Sequence, residues 1–283
     1  MTLHQDTRTL GDEWDTDRLD LDAYLDRTGY TGELVPTGST LRTLHLAHVT
    51  AIPFENLDLI LGRDVSVDLD SVQAKLVARA RGGYCYEHGV LFAAVLQRLG
   101  YSVDRLLARI GGVEQRPRPR SHMMLRVGAD GQQWLADVGS GLGLLEPLPW
   151  GDAGPHSQGG WTYQLVTLGP RAWQVRERLG EDWSTLYNFV EEPQHASDVA
   201  VANHFTSTHP WSPFVGRLVV LRKNTDSRLR LHGRQLSLTR PDGSSDERQL
   251  TDPELTAALR DDFGLRLPPR EIAGLLDSLP AGE

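Results

Sequence analysis

The chain of 283 residues carries a single cysteine, Cys85. One cysteine excludes an intrachain disulfide and leaves one sulfur for nucleophilic work. No apolar run approaches the about 18 residues that a membrane-spanning helix requires. The opening through Asp22 is polar and acidic and lacks an apolar signal core, so a cytoplasmic location is expected. Positive charge is in deficit as well: 29 Lys and Arg face 38 Asp and Glu, a net charge of -9. That balance argues against broad binding to nucleic acid or an anionic membrane, while leaving room for a local basic patch around a phosphate-bearing ligand. Internal repeats and low-complexity tracts are missing too. What remains, 39% hydrophobic and 24% charged residues, is ordinary for a soluble protein and at this length predicts two or three domains.

Residues 1 to about 18 predict a loosely tethered lead-in. Leu19 to Arg27, with Leu21, Tyr24 and Leu25, reads as a short amphipathic helix. Thr37-Gly38-Ser39-Thr40 offers caps for a second helix through Leu41, Leu44 and His48 that Pro53 stops. Asp70-Ser71 is a candidate cap for a third, with Val72, Leu76 and Ala80 on one side. Arg81-Gly82-Gly83-Tyr84-Cys85-Tyr86-Glu87-His88-Gly89 then leads into an apolar stripe, Leu91, Phe92, Val95, Leu96 and Leu99, closed by Gly100.

From Tyr101 the period becomes alternating. Val103 to Ile110 reads as a strand, and Gln115 to Arg120 as a basic, proline-broken loop. His122 to Val127 and Gln133 to Val138 flank Gly128-Ala129-Asp130-Gly131 as a β-hairpin. Gly139 to Gly143 is loop-like, Trp161 to Val166 and Trp173 to Glu177 resume strands, and Asp198 to Asn203 suggests one helical turn. This middle section predicts a β-barrel or a strongly curved sheet. Strands at Leu218 to Arg222, Arg228 to His232 and Leu236 to Thr239 follow, with a turn at Pro241-Asp242-Gly243. A helix opening at Asp252-Pro253 and a last one through Ile272, Leu275 and Leu276 close the chain.

Cys85 sits at the predicted N-terminus of a helix, where unpaired N–H groups and the macrodipole favour the thiolate. A buried structural cysteine would fit the same position. A thiol needs a base, and an imidazole needs a carboxylate on its other nitrogen to fix the tautomer. If all four turn residues form the loop, His122 pairs directly with Asp137. If only Asp130-Gly131 do, Met124 pairs with Asp137 and His122 lies two residues along. Both registers put His122 and Asp137 on one face, since side chains alternate with period two. His88, three residues from Cys85, competes as base but has no partnered carboxylate in view. A metal site of Cys85, His122 and Asp137 would lack close-spaced ligand pairs.

Four motifs now bring a resemblance. Ile52-Pro53-Phe54-Glu55-Asn56-Leu57, Arg81-Gly82-Gly83-Tyr84-Cys85-Tyr86-Glu87, Arg120-Ser121-His122-Met123 and Asp137-Val138-Gly139 resemble the arylamine N-acetyltransferase family in order and spacing. The likeness extends from about Leu19 into Thr208-His209-Pro210-Trp211-Ser212-Pro213-Phe214 and is faint in the last seventy residues. It implies an α+β fold with a cysteine-protease-like Cys-His-Asp core: a helical domain at 1–100 carrying the nucleophile, a β-barrel at 101–203 carrying His and Asp, and an α/β lid at 204–283. The resemblance further implies a ping-pong acetyl transfer from acetyl-coenzyme A to an arylamine, arylhydrazine or N-hydroxyarylamine. Cys85 would carry the acyl group, His122 act as base and Asp137 orient it. No permanently bound cofactor is implied. Thr208, His209 and Trp211 match the segment that approaches coenzyme A, although a plain loop would read the same way.

Tyr86 and Gly139 are candidate oxyanion donors through their amides, and Phe54 and Tyr84 are candidate pocket walls. Arg81 and Glu55 match an ion pair supporting the cysteine turn. Ser140 departs from the pattern, because many members carry Phe there on the acceptor wall; serine makes that wall smaller and more polar. Rival readings are an amide synthase of the ansamycin type moving a longer acyl chain, a cysteine hydrolase, and a noncatalytic ligand-binding module. Monomer and homodimer both fit.

Overall fold

The computed structural model describes residues 12–114, 118–151 and 154–279. Most of the expected lead-in and the first half of the Gln115 to Arg120 loop lie outside the described residues. The first segment is helical: α1 (Leu21–Thr28), α2 (Gly38–Ala51), the two-residue strand β1 (Phe54–Glu55), the short α3 (Leu57–Ile60), α4 (Leu69–Gln73) running into a wider π turn, and α5 (Cys85–Arg98). Local chemistry sets these ends. The Asp20 carboxylate accepts from the Ala23 amide at 3.0 Å and Gly29 closes α1 at φ +65°. Thr37 caps α2 from within its own chain, and the Asp130 carboxylate of the β-hairpin accepts from Gly38 N–H at 2.7 Å. The cap of α4 is Asp68, two residues before the expected Asp70-Ser71; its carboxylate accepts from Ser71 N–H at 2.8 Å.

The middle segment holds β2 (Ser102–Ile110), β3 (His122–Ala129), β4 (Gln132–Ala136), β5 (Leu148–Pro149), β6 (His156–Gln158), β7 (Trp161–Gly169), β8 (Ala172–Leu179) and β9 (Asp182–Val190). They form one antiparallel sheet in the order β5-β4-β3-β2-β9-β8-β7-β6. The end strand β5 lies against β7, so the sheet is nearly closed into a barrel. Helix α6 (Ala196–Thr208) follows, thirteen residues where the sequence suggested a single turn. The last segment contains β10 (Val219–Lys223), β11 (Arg228–His232), β12 (Gln235–Thr239), β13 (Ser245–Gln249), α7 (Asp252–Asp261) and α8 (Pro269–Ser278). The cap of α7 is Thr251, whose amide and hydroxyl both donate to Glu254, one residue before the expected Asp252.

Strand β1 joins the C-terminal sheet: Phe54 pairs with Leu221 and Glu55 with Val220. Asn56 fastens this junction with three hydrogen bonds, donating to the carbonyls of Phe214 and Arg217 at 2.8 and 2.7 Å and accepting from Val219 N–H at 2.8 Å. Helix α5 is buried on all sides from Cys85 to Leu96. Such a helix must run through the interior, and it carries the apolar cluster that the helices share with the barrel through Leu91, Phe92, Leu106, Leu125 and Tyr163. A second cluster joins Leu57 to Leu218, Leu231, Leu255 and Leu275.

Candidate active site

Cys85 opens α5, and the turn before it is built on close approach. A Cβ on Gly82 would stand 2.1 Å from the Pro53 carbonyl oxygen, and one on Gly83 would stand 2.6 Å from Glu87 Oε2. Glycine is therefore demanded by space at both positions. Glu87 accepts from Tyr84 N–H at 3.0 Å and pairs with Lys75 at 2.8 Å, while Lys75 also meets Asp58 at 2.7 Å. Burial lifts the Glu87 carboxyl to about 7 against the pull of Lys75. Arg81 and Glu55 are joined at 2.9 Å, both buried, and the other Glu55 oxygen accepts from Leu57 N–H at 2.6 Å. Helix α6 braces the same turn: the Tyr84 hydroxyl donates to Asn203, and the Tyr86 hydroxyl meets Thr206 Oγ1 at 3.1 Å.

His122 is the first residue of β3 and Asp137 directly follows β4. The hairpin turns on Asp130 and Gly131 alone, at φ +52° and +72°, and Leu125 faces Ala136. Of the two registers the sequence allowed, the tighter one forms, and His122 sits diagonally across from Asp137. The imidazole Nε2 lies 2.9 Å from Asp137 Oδ2, with both residues buried. The sulfur of Cys85 lies 3.7 Å from the carbonyl oxygen of Ser121, the residue before His122, and interacts electrostatically with the imidazole. With Nε2 on the carboxylate, Nδ1 is the nitrogen left for sulfur. Burial alone would lower the imidazole pKa; the Asp137 charge and the contact with Cys85 overcome it and hold His122 well above its ordinary value. Burial likewise works against the Asp137 carboxylate, but the His122 imidazolium wins and its pKa is lowered. Tyr187 packs its ring 4.9 Å from that of His122 and sets its phenol beside Asp137.

His88 is occupied elsewhere. Its Nε2–H donates to the carbonyls of Gly83 and Pro53 at 3.1 and 3.3 Å, and its Nδ1 accepts from His48 at 2.9 Å. His48 in turn meets the Tyr24 hydroxyl at 3.0 Å. Burial pushes His88 down to about 4 and His48 well below its usual range. His45, which the sequence did not single out, accepts from the Asp137 N–H at 3.1 Å and donates to the Leu145 carbonyl at 2.8 Å. The signal for it was its place one helical turn before His48 on a buried face.

Of the remaining candidates, Gly139 is the one that lies against Cys85 itself. Gly139 packs on Cys85 so closely that a Cβ there would stand 2.8 Å from the Cys85 Cα and carbonyl oxygen. Ser140 is half-buried and folds back toward Gly143. Phe54 lies between His88, with ring centroids 6.4 Å apart, and Phe214 at 5.6 Å. His209 stacks on Phe205 at 4.4 Å and meets Trp211 edge-on at 5.3 Å, and Thr208 bonds the His204 carbonyl at 2.6 Å. Trp211 is 77% exposed, an unusual state for so large an aromatic. Among the described residues no group of three or more His, Cys, Asp or Glu is arranged to hold a metal ion. None of the described helices is long and apolar enough to cross a membrane.

A thiol at a helix start and an imidazole bonded to a buried carboxylate are groups suited to acyl transfer, and comparison with known proteins places the chain in a family. The family model described as N-acetyltransferase matches residues 38–272. The arylamine N-acetyltransferase of Mycolicibacterium smegmatis is 38% identical over 258 residues, 88% of this chain and 93% of that protein. Among solved structures, the Nocardia farcinica arylamine N-acetyltransferase superposes with a TM-score of 0.87 at 42% identity, covering 93% of this chain and 95% of that one. The Mycobacterium marinum arylamine N-acetyltransferase in complex with CoA gives 0.85 at 33% identity, with 92% and 100% covered. Proansamycin X synthase of Amycolatopsis mediterranei is 34% identical over 184 residues, 63% of this chain and 70% of that protein. The chain belongs to the arylamine N-acetyltransferase family, and it is an acyltransferase.

Proposed function

We propose that the protein moves an acetyl group from acetyl-coenzyme A to the nitrogen of an arylamine, arylhydrazine or N-hydroxyarylamine in two steps through Cys85. His122 takes the thiol proton, sulfur attacks the thioester carbonyl, and the tetrahedral oxyanion is held by N–H groups of Tyr86 and of the Gly139 region. The intermediate collapses with coenzyme A thiolate leaving, which His122 protonates. The amine then attacks acetyl-Cys85, loses its proton to His122, and the cysteine sulfur is released. Asp137 keeps the imidazole oriented throughout. Arg81 and Glu55 hold the turn that presents the sulfur, Phe54 and Ser140 line the acceptor side, and Thr208, His209 and Trp211 meet the coenzyme. In this reading 1–100 supplies the nucleophile, 101–203 the imidazole and carboxylate, and 204–283 the lid. A reducing, cytoplasmic setting suits a working thiol, and the reaction needs no second subunit, so monomer and homodimer serve equally.

The observation that carries the reading is the buried 2.9 Å contact between His122 and Asp137 beside the helix-opening Cys85. Intact mass after exposure to acetyl-coenzyme A tests it. Wild type is expected to gain one acetyl group that an aromatic amine removes, and Cys85→Ala to gain none. An acetyl adduct on the alanine variant overturns the assignment. Steady coenzyme A release without amine would instead indicate a hydrolase, and slow, pH-insensitive alkylation of Cys85 a noncatalytic module. The small side chain of Ser140 favours one second reading, an amide synthase taking a longer acyl chain from a carrier protein; failure of acetyl-coenzyme A to label a protein that a carrier-bound acyl group labels rapidly would select it.

A further inference from the structure

Lys223 ends β10 in the C-terminal sheet and is almost wholly buried, 2% exposed. Its ammonium donates to the Leu144 carbonyl at 2.6 Å. That carbonyl belongs to a loop held at successive residues: Gly143 O accepts from the Tyr163 hydroxyl at 2.9 Å, Leu145 O from His45 at 2.8 Å, and the N–H groups of Leu145 and Glu146 both donate to Gln158 Oε1 at 2.9 and 3.0 Å. The same loop begins at Asp137, lays Gly139 on Cys85 and carries Ser140. His45 closes the circuit, because its other nitrogen takes the Asp137 N–H. From Lys223 the path runs through the carbonyls of Leu144 and Leu145 and the His45 ring to the backbone N–H of Asp137, the residue whose carboxylate meets His122.

The charges around the ammonium come from five elements. Asp137 lies at the end of β4, Glu177 on β8, Arg228 on β11, His45 and His48 on α2, and His88 on α5. Glu177 is already paired with Arg228. His45, His48 and His88 are buried and neutral. Asp137 is accordingly the carboxylate on which the field of Lys223 falls with effect.

We propose that Lys223 is a positioning residue for the acyl-transfer site, tethering the Asp137–Ser140 loop through Leu144 and biasing proton loss from the Cys85–His122 pair through its charge. The inference rests on the functional reading above. Burial and the nearby Arg228 pull the Lys223 pKa down to about 7, with Asp137 and Glu177 opposing. Its charge therefore acts below about that pH and fades above it. A positive charge favours proton loss from its neighbours, so removing it must move the acid limb of thiol reactivity to higher pH and leave the alkaline limb nearly in place.

The test compares wild type with K223Q, which can keep a donor for Leu144 without the charge, and K223M, which keeps neither. Alkylation of Cys85 by iodoacetamide and acetylation by acetyl-coenzyme A are followed across pH for each folded protein. Both variants are expected to raise the acid limb by roughly half a unit, about a threefold lower rate at a pH below it. K223M alone is expected to lose a further ~10-fold on the plateau. A folded K223Q with the wild-type acid limb overturns the proposal, and K223Q decides by itself if K223M does not fold. Should wild type take no acetyl group at all, the functional reading fails, while the alkylation limbs still judge Lys223.

Discussion

Two imidazoles flank the start of α5, and they have opposite fates. His88 is three residues from the sulfur in sequence, yet carbonyls and another histidine occupy both its nitrogens and burial drives it down to about 4. His122 comes from another segment, and a buried carboxylate raises it well above the ordinary range. What separates them is the partner on the far nitrogen: a carbonyl accepts a proton already present, whereas a carboxylate stabilises an added one. Nearness along the chain says little about which ring serves as base.

The largest effect that tests this contrast is on rate. His122→Asn or Asp137→Asn is expected to slow acetylation of Cys85 by roughly 10³- to 10⁴-fold, against less than about 10-fold for His88→Asn, measured by rapid-quench mass spectrometry. Comparable losses from His88 and His122 would erase the distinction. The ionic side of the turn sharpens it next. Lys75→Met leaves Glu87 without its buried cation and strips Asp58 of the nearest of its partners, and should cost about 3–5 kcal/mol in urea unfolding, because Lys75 is 4% exposed and bound to both.

Acid stability follows. His88 folds with a pKa near 4 and His45 near 3, against about 6.5 in the unfolded chain. The unfolded state takes up these protons first, so stability is full above about pH 6.5 and falls as the pH drops toward 4, by about 3 kcal/mol for His88 alone. His88→Asn should flatten that decline, and an unchanged slope in pH-dependent unfolding would show that the ring is not held neutral. The smallest effect concerns the acceptor wall: Ser140→Phe is expected to change kcat/KM between small and bulky aromatic amines by less than about 10-fold, with little change in acetylation of Cys85.

The parts of this site legible in the sequence were those governed by local rules. Asp130-Gly131 with alternating flanks places His122 and Asp137 together because period two leaves few choices, and Gly82-Gly83 before an apolar stripe places Cys85 at a helix start. Elsewhere local rules were weak. Ser245 to Gln249, to which the sequence assigned no element, is exposed throughout and without an apolar face, yet it pairs with β12 as β13. Helix α6 is rich in Val, Thr and Ser, which suppress helix propensity, and it holds because Asp198 caps His195 N–H at 2.9 Å and because Asn203 and Thr206 find the two tyrosines of the cysteine turn. The roles of His45 and Asn56 depend on residues about ninety and about 160 positions away, and no window of sequence contains such pairs.

The seating of Phe54 and Glu55 against β10 has a consequence for biosynthesis. The strand that steadies the nucleophile's turn leaves the ribosome well before its hydrogen-bonded neighbour, which emerges some 165 residues later, an interval set by the pairing of Phe54 with Leu221 and Glu55 with Val220. A nascent chain halted at Thr208 would already possess thiol, ring and carboxyl, yet its Cys85 should alkylate more slowly than in the finished protein. Full competence for chemistry is thereby expected only once β10 has been made and paired with β1.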